Sequence, residues 1–271
     1  MSGFTFNSVA FTSDNGYHLM GLPEYLSGSA LKVTQETKLA GDGSVYYFGG
    51  RDSLVIVVEF SAIADSLDSL YAKIDYTKGI LSPENGEAIL KFSFEETLSV
   101  KRQYVAIPFS SVTVNLISDH AVTLRCEFLI PSGKAETQTE YTENIAIDAN
   151  PETFSIPDGS GEVVTGSGNA LPVWSFSNTG ATVTELILTN NTTGELCKWT
   201  GLFVTGTMLR FDSKRKHVER SVDDGTTWTA AVSGLYRGNL PPSLKPGVVN
   251  SISVSGLAAG SLAVVYRGSF I

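Results

Sequence analysis

Short apolar segments that end at turn residues recur along the whole of this 271-residue chain. Ala121–Ile130 alternates apolar and polar residues, which is typical of a β-strand with one buried face. Leu54–Phe60 is apolar almost throughout, which predicts a strand buried on both faces. The intervening turns, such as Asn178–Gly180 and Asp223–Gly225, contain residues that tolerate the backbone angles of tight turns. No period of about 20 to 50 residues repeats, so we expect an all-β fold with sandwich domains rather than a propeller or a solenoid.

One segment departs from this pattern and predicts an α-helix near Asp65–Thr77. Its apolar residues recur at helical spacing. They are Ile63, Leu67, Leu70, Tyr71 and Ile74. Gly79 lies where such a helix is expected to end, and Pro83 follows shortly after it. The N-terminal part is therefore expected to combine strands with a single helix.

The polar stretch between residues 137 and 168 marks a change in organisation. Thr, Glu, Asn, Asp, Gly and Ser dominate this stretch, and it contains Pro151 and Pro157. We predict a domain boundary after Ala149. It divides the chain into an N-terminal β-sandwich-like domain with one helix (1–149) and a C-terminal β-sandwich domain (150–271).

The net charge of −9 falls on one side of this boundary. Residues 1–150 contain 19 acidic and 10 basic residues, whereas residues 151–271 contain nine of each. An acidic chain lacks the clustered Lys and Arg with which proteins neutralise phosphates. Sequence-specific binding of nucleic acid is therefore not expected. No run of 18 apolar residues and no basic-then-apolar N-terminal segment is present, so we expect neither membrane insertion nor secretion.

The sequence contains no local motif for catalysis or for binding a metal or cofactor. The three histidines, His18, His120 and His217, have no second His or Cys at the spacing of zinc ligands. No Gly-x-Ser-x-Gly elbow is present, and a Ser-His-Asp site, which assembles only in the fold, stays open at this stage. We expect no catalytic residues, no metal and no cofactor, and hence no enzymatic activity.

Two further pairs of residues are interpreted as structural. Cys126 and Cys197 are expected to be buried free thiols, because nothing in their spacing pairs them. Glu95 and Glu96 are adjacent, and adjacent strand residues point to opposite faces. We therefore expect this pair to be solvated and to share no proton.

Lys214, Arg215 and Lys216, followed by Arg220, form the main basic run of the sequence. The flanking segments read as two strands, so the run is expected at the tip of a hairpin. It either keeps that tip soluble or contacts an acidic partner, such as the first domain of another subunit.

Aromatic residues of the C-terminal part allow two interpretations. Trp199, Trp228 and Tyr236 are candidates for a platform on which sugar rings stack. Aromatic residues of a β-sandwich more often belong to its core.

A set of motifs in the same order resembles one known family. The C-terminal motifs are Gly206–Asp212, Lys216–Gly225, Leu240–Asn250 and Val264–Ile271, and the N-terminal ones are Phe4–Asn7 and Gly49–Asp52. Together they resemble the distal tail proteins of long-tailed, non-contractile bacteriophages. The resemblance is strongest over residues 180–271.

The resemblance implies a structural virion protein that is made in the host cytoplasm and located at the tail tip. In that family the subunits form a ring-shaped hub, usually a hexamer, whose N-terminal domains stack on the tail tube around a channel for DNA. A galectin-like C-terminal β-sandwich lies outside the ring. The implied partners are the tail tube protein, the tail-associated fibre or hub protein and the receptor-binding proteins. An acidic lining of the channel would keep DNA phosphates off its wall.

Two other functions stay open from the residues alone. The first is a carbohydrate-binding β-sandwich module used in host cell-wall recognition, which requires an exposed aromatic platform. The second is a tail-associated hydrolase, which requires a cleft with two carboxylates or a Ser-His pair.

Overall fold

The computed structural model describes residues 3–23, 31–37, 44–51, 53–159, 162–236 and 239–271, with only the backbone of 31–37 and 44–51. The chain divides into two compact units: unit 1 is Met1–Gln138 with Ile271, and unit 2 is Thr139–Phe270. Strands predominate in both units, and the described residues contain a single α-helix. The predicted all-β fold with one helix is confirmed.

The strands of unit 1 are paired antiparallel around a central pair. In chain order the elements are β1 (Phe4–Phe6), β2 (Val9–Phe11), β3 (Tyr17–Leu19), β4 (Leu31–Thr37), β5 (Ser44–Arg51), β6 (Leu54–Ile63), α1 (Leu67–Ile80), β7 (Ala88–Phe92), β8 (Arg102–Pro108), β9 (Thr113–Leu116), β10 (Ala121–Ile130) and β11 (Ala135–Thr137). The strand order is β2-β1-β7-β8-β10-β6-β3, with β9 also paired to β10, β11 to β8, and β4 to β5. Gly49–Arg51 belong to β5, and Asp52 lies outside the described residues.

The central pair β6–β10 keeps its register over the full length of β10, from Ala121 opposite Ile63 to Ile130 opposite Leu54. The alternation predicted for β10 is confirmed, because its even-numbered residues Val122–Ile130 are fully buried. The prediction that Leu54–Phe60 is buried on both faces is wrong. The even-numbered residues Ile56–Ala62 of β6 are buried, whereas Val55 and Ile63 are 40% and 46% exposed. Apolar composition alone does not reveal that nothing in unit 1 covers the second face at these two positions.

Phenylalanine rings fill the buried side of this sheet. Phe4 stacks on Phe11 with ring centroids 4.7 Å apart and meets the edge of Phe60 at 5.1 Å. Phe6 and Phe128 are also 5.1 Å apart. These contacts connect β1, β2, β6 and β10, so the opening Phe4–Asn7 motif supplies core residues rather than surface residues.

Helix α1 begins after the N-cap residue Ser66, whose Oγ accepts the backbone N–H of Ser69 at 3.3 Å. It buries Leu70, Ile74 and Thr77. The expectation that Gly79 ends the helix is wrong, because the helix continues to Ile80. None of the described helical residues forms a helix long and apolar enough to cross a membrane.

A side-chain amide satisfies the C-terminal end of α1, and an ammonium group from its middle attaches it to neighbouring segments. The Asn85 amide donates to the carbonyls of Gly79 and Ile80, at 2.8 and 3.0 Å, so the C-terminal carbonyls are satisfied without a glycine cap. The Lys73 ammonium donates to the carbonyls of Ile63 and Asn15, at 2.6 and 3.0 Å. Lys73 therefore joins the helix to the end of β6 and to the turn before β3.

Unit 2 consists of two antiparallel sheets. Its strands are β12 (Tyr141–Ile147), β13 (Glu152–Ile156), β14 (Val173–Asn178), β15 (Val183–Asn190), β16 (Glu195–Phe203), β17 (Met208–Asp212), β18 (His217–Ser221), β19 (Thr229–Ala230), β20 (Asn250–Ser255), β21 (Gly260–Tyr266) and β22 (Ser269–Phe270). One sheet has the order β12-β21-β14-β17-β18-β19 and the other has the order β13-β20-β15-β16. Both sheets contribute buried residues to one hydrophobic core, which makes unit 2 a β-sandwich.

The contacts divide the chain between Gln138 and Thr139, whereas the sequence-based expectation places the boundary after Ala149. The difference arises because β12 pairs with β21 over its full length. It also changes the distribution of charge. Met1–Gln138 contains 16 acidic and 10 basic residues, and Thr139–Phe270 contains 12 acidic and nine basic residues. Both units are thus acidic, with net charges of −6 and −3.

Candidate functional site

The basic run lies at the tip of the β17–β18 hairpin, as the sequence predicts. The Asp212 carboxylate accepts the backbone N–H groups of Lys214 and Arg215 at 2.9 and 2.8 Å, and Lys216 has a positive φ of 54°. The Asp212 side chain therefore closes the turn, and the side chains of Lys214, Arg215 and Lys216 are exposed. Arg215 has 78% of its side chain exposed, and its Nε lies 3.7 Å from the Asp212 carboxylate.

Arg220 is separated from these three cations. It lies opposite Leu209 in the hairpin register, on the side of the sheet that faces the core. Its Nε is buried and has no hydrogen-bond partner within the described part of the chain. The structure thus brings Lys214, Arg215 and Lys216 together at one exposed tip and does not bring Arg220 to them.

The proposed sugar platform is not assembled, because Trp199 belongs to the core. Trp199 is 4% exposed, and its indole N–H donates to the carbonyl of Ala231 at 3.1 Å. A methyl group at Gly201 or Gly234 would collide with the indole, so both glycines leave room for the ring. An indole enclosed in this way cannot stack on a sugar.

The other two aromatic candidates lie on different parts of unit 2. Trp228 is half-buried, and the Arg210 guanidinium lies 4.1 Å from its ring centroid. Glu219 holds that guanidinium by accepting from its Nε at 2.8 Å and from Nη2 at 2.5 Å. Tyr236 is 61% exposed. It follows Leu235, which forms an isolated β-bridge with Trp199 of β16. One face of Trp228 is therefore covered by Arg210, and Tyr236 is the exposed ring.

The reactive residue types are held in structural roles. Burial raises the pKa of both Cys126 and Cys197 to about 12, so both thiols stay protonated at neutral pH. No group of three or more His, Cys, Asp and Glu side chains with the geometry of a metal site occurs among the residues that the structure describes.

Glu95 and Glu96 lie on a short 3-10 turn and have separate partners. The expectation of a solvated pair is wrong for Glu95, which is 2% exposed and accepts the Tyr104 hydroxyl at 3.0 Å. Glu96 accepts the Gln138 amide at 2.6 Å and pairs with Lys101 at 3.1 Å, and these contacts lower its pKa.

The Leu240–Asn250 motif is organised by a buried asparagine. The Asn250 carbonyl oxygen accepts the backbone N–H of Lys245 at 2.8 Å, and its amide donates to the Lys245 carbonyl at 3.0 Å. Asn190 donates to Asn250 at 3.1 Å and to the Ser243 carbonyl at 2.6 Å. This network fixes the loop before β20. Asn250, which closes the sequence motif, could have indicated this network from the sequence. Nothing in the sequence around Asn190 indicates that it takes part.

One end of unit 1 exposes apolar and acidic side chains that sequence reasoning missed. Three segments meet there, because the N–H of Ile63 donates to Gly16 and that of Ala64 donates to His120, at 2.9 and 3.0 Å. The exposed apolar residues are Ile63 (46%), Leu67 (44%), Leu116 (51%) and Ile117 (60%). The exposed carboxylates are Asp14, Asp65, Asp68 and Asp119. We call these eight residues the apolar–acidic end.

Comparisons with known proteins identify the fold. Neither models of known protein families nor curated proteins match the sequence. The structure of the SPP1 Dit protein, described as a paradigm of the hub adsorption apparatus in phages that infect Gram-positive bacteria, matches over 100% of both chains. The TM-score is 0.68 and the sequence identity is 16%. This chain has the fold of SPP1 Dit.

Chains from structures of the phage p2 baseplate in its activated conformation are more distantly similar to this chain. The form with strontium aligns over 100% of both chains with a TM-score of 0.50 and 9% identity. The form with calcium aligns over 98% of both chains with a TM-score of 0.49 and 9% identity. The resemblance to phage tail-tip proteins that the sequence motifs indicate is thus confirmed at the level of the fold.

Proposed function

We propose that this chain is a structural subunit of a phage tail. Its copies form a ring-shaped hub, a hexamer, at the distal end of the tail. The ring joins the tail tube to the baseplate and the receptor-binding proteins. The observation that carries this proposal is the match to the SPP1 Dit fold over the whole of both chains, which includes both units.

In this proposal the two units have different roles. Unit 1 forms the ring and stacks on the tail tube, and its exposed apolar residues give it surface for subunit contacts. Unit 2 is the outer β-sandwich and holds other baseplate proteins or the receptor-binding proteins. Its two sheets share one core, so it is a rigid support for such partners.

The acidic character of unit 1 supports a channel through which DNA passes. Its acidic residues outnumber its basic ones by 16 to 10, and this net negative charge repels phosphates, so DNA slides without being bound. The proposal assigns the chain no enzymatic activity, cofactor or metal.

The test is the absolute mass of the purified chain, measured by light scattering after size exclusion over a series of concentrations. We expect the mass to rise and then stop at six times 29.0 kDa, because a closed ring cannot add further subunits. Electron micrographs of that fraction should show rings with a central opening. A mass that stays at 29.0 kDa, or that grows without limit, would contradict the self-closing ring.

A further inference from the structure

We propose that the tip of the β17–β18 hairpin in one copy binds the apolar–acidic end of unit 1 in a second copy. This inference rests on the proposed ring and names one of its subunit contacts. Two observations carry it: the chemistry of each surface, and their complementarity in charge.

The apolar–acidic end is a surface that unit 1 does not cover. The four apolar residues come from the end of β6, the start of α1 and the end of β9. Asp65 and Asp68 flank the first turn of α1, and Asp119 has 71% of its side chain exposed. Two other polar side chains lie nearby: Lys73 donates to the carbonyls of Asn15 and Ile63, and the His120 ring lies 3.6 Å from Asp119. The surface therefore combines four exposed apolar side chains with four exposed carboxylates.

The hairpin tip has the complementary composition. Ser213 fixes its base by donating through its N–H to Pro172 and through its hydroxyl to Pro242, both at 3.0 Å. Leu171 precedes Pro172 and Leu240 lies two residues before Pro242, and these leucines are 43% and 44% exposed. The exposed Lys214, Arg215 and Lys216 extend beyond them. We call these five residues the basic tip.

A contact between the two surfaces joins unlike parts of two identical chains. Such a head-to-tail contact is the kind that generates rings, because each copy offers one surface to the next copy and the other to the previous one. Opposite charges set the orientation of the approach, and the apolar residues supply surface to bury. A neutral or basic partner would gain nothing from three adjacent cations, which is why we assign the tip to a second copy of this acidic chain.

The experiment is charge reversal in the full-length chain, with self-association followed by sedimentation velocity at low ionic strength. The tip variant carries Arg215→Glu and Lys216→Glu, and the end variant carries Asp65→Lys and Asp119→Lys. These positions are exposed, so both variants should fold, which circular dichroism verifies. The matched controls, Lys245→Glu and Glu87→Lys, reverse exposed charges outside the two surfaces.

We expect each variant alone to raise the dissociation constant of self-association at least about tenfold, and the controls to leave it unchanged. A chain with all four changes, or an equimolar mixture of the two variants, should associate again, because reversed tips then meet reversed ends. Variants that associate like the controls, or a four-change chain that stays dissociated, would overturn this contact. If those variants still form rings in micrographs, the ring stands and this contact is excluded from it. A wild-type chain that does not associate would also overturn the contact. The hub is tested separately, by the position of the chain on phage particles.

Discussion

Replacing Asn250 with alanine should destabilise unit 2 by about 3 kcal/mol. The side chain is fully buried and makes hydrogen bonds at 2.8, 3.0 and 3.1 Å, to the N–H and carbonyl of Lys245 and to the Asn190 amide. Each such bond contributes roughly 1 kcal/mol, and the buried groups left without a partner keep the cost from being smaller. For a unit of this size the loss corresponds to a fall in Tm of roughly 10 °C.

Tryptophan fluorescence measures this loss selectively. The three tryptophans of the chain, Trp174, Trp199 and Trp228, all belong to unit 2, so their emission during urea unfolding follows that unit. The matched control is Asn191→Ala. The Asn191 amide also donates two hydrogen bonds, to serine hydroxyls at 3.3 and 2.7 Å, but in an exposed setting where water replaces them. We expect the control to cost less than about 1 kcal/mol. Equal losses in the two variants would refute the argument that buried Asn250 organises the loop.

Three further predictions concern packing, reactivity and pH. Gly234→Ala should lower the stability of unit 2 by about 2 kcal/mol in the same urea assay, because the added methyl group would collide with the Trp199 indole and with the Thr200 carbonyl. An unchanged midpoint of urea unfolding would show that the ring can move aside. Cys126 and Cys197 should react with a thiol reagent such as DTNB only after urea unfolds the chain, and fast labelling at neutral pH would contradict their burial. Burial raises the pKa of Glu143, and the nearby carboxylates of Asp158 and Glu162 raise it further. The charged form of Glu143 therefore lowers the stability of the folded state once the pH is above that pKa. Glu143→Gln should therefore be more stable than the wild type at pH 7, with the difference shrinking as the pH falls towards about 4.5; a difference that grows on acidification would show that the sign is wrong.

Local sequence patterns predict correctly those strands that bury only one face against the core. The alternation of β10 was sufficient because a single face of that strand meets the core. The apolar run of β6 was misleading, since nothing in a single strand reveals that its second face has no covering layer in unit 1. The helix was located correctly, but its end was not. Asn85, which satisfies its last carbonyls, lies beyond the helical pattern that was used to define it.

The candidate site residues also fall into two groups: those that the local sequence predicts and those that only the fold brings together. The hairpin tip with Lys214–Lys216 follows from a short turn between two strands, and so it was predictable. Trp199 carried a signal that it is buried, because it lies two residues after Cys197 on β16 and therefore shares its face. The apolar–acidic end has no such signal. It depends on three separate turns that meet only in the folded unit.

The central claim is that this chain forms the hub at the distal end of a phage tail. The most direct measurement is immunogold labelling of the phage particles that carry this chain, with antibodies raised against unit 2 and images taken by electron microscopy. Our account predicts gold at the distal tip of the tail, at the level of the baseplate. Gold on the capsid or along the tail tube, or particles without gold beside free labelled protein, would contradict it.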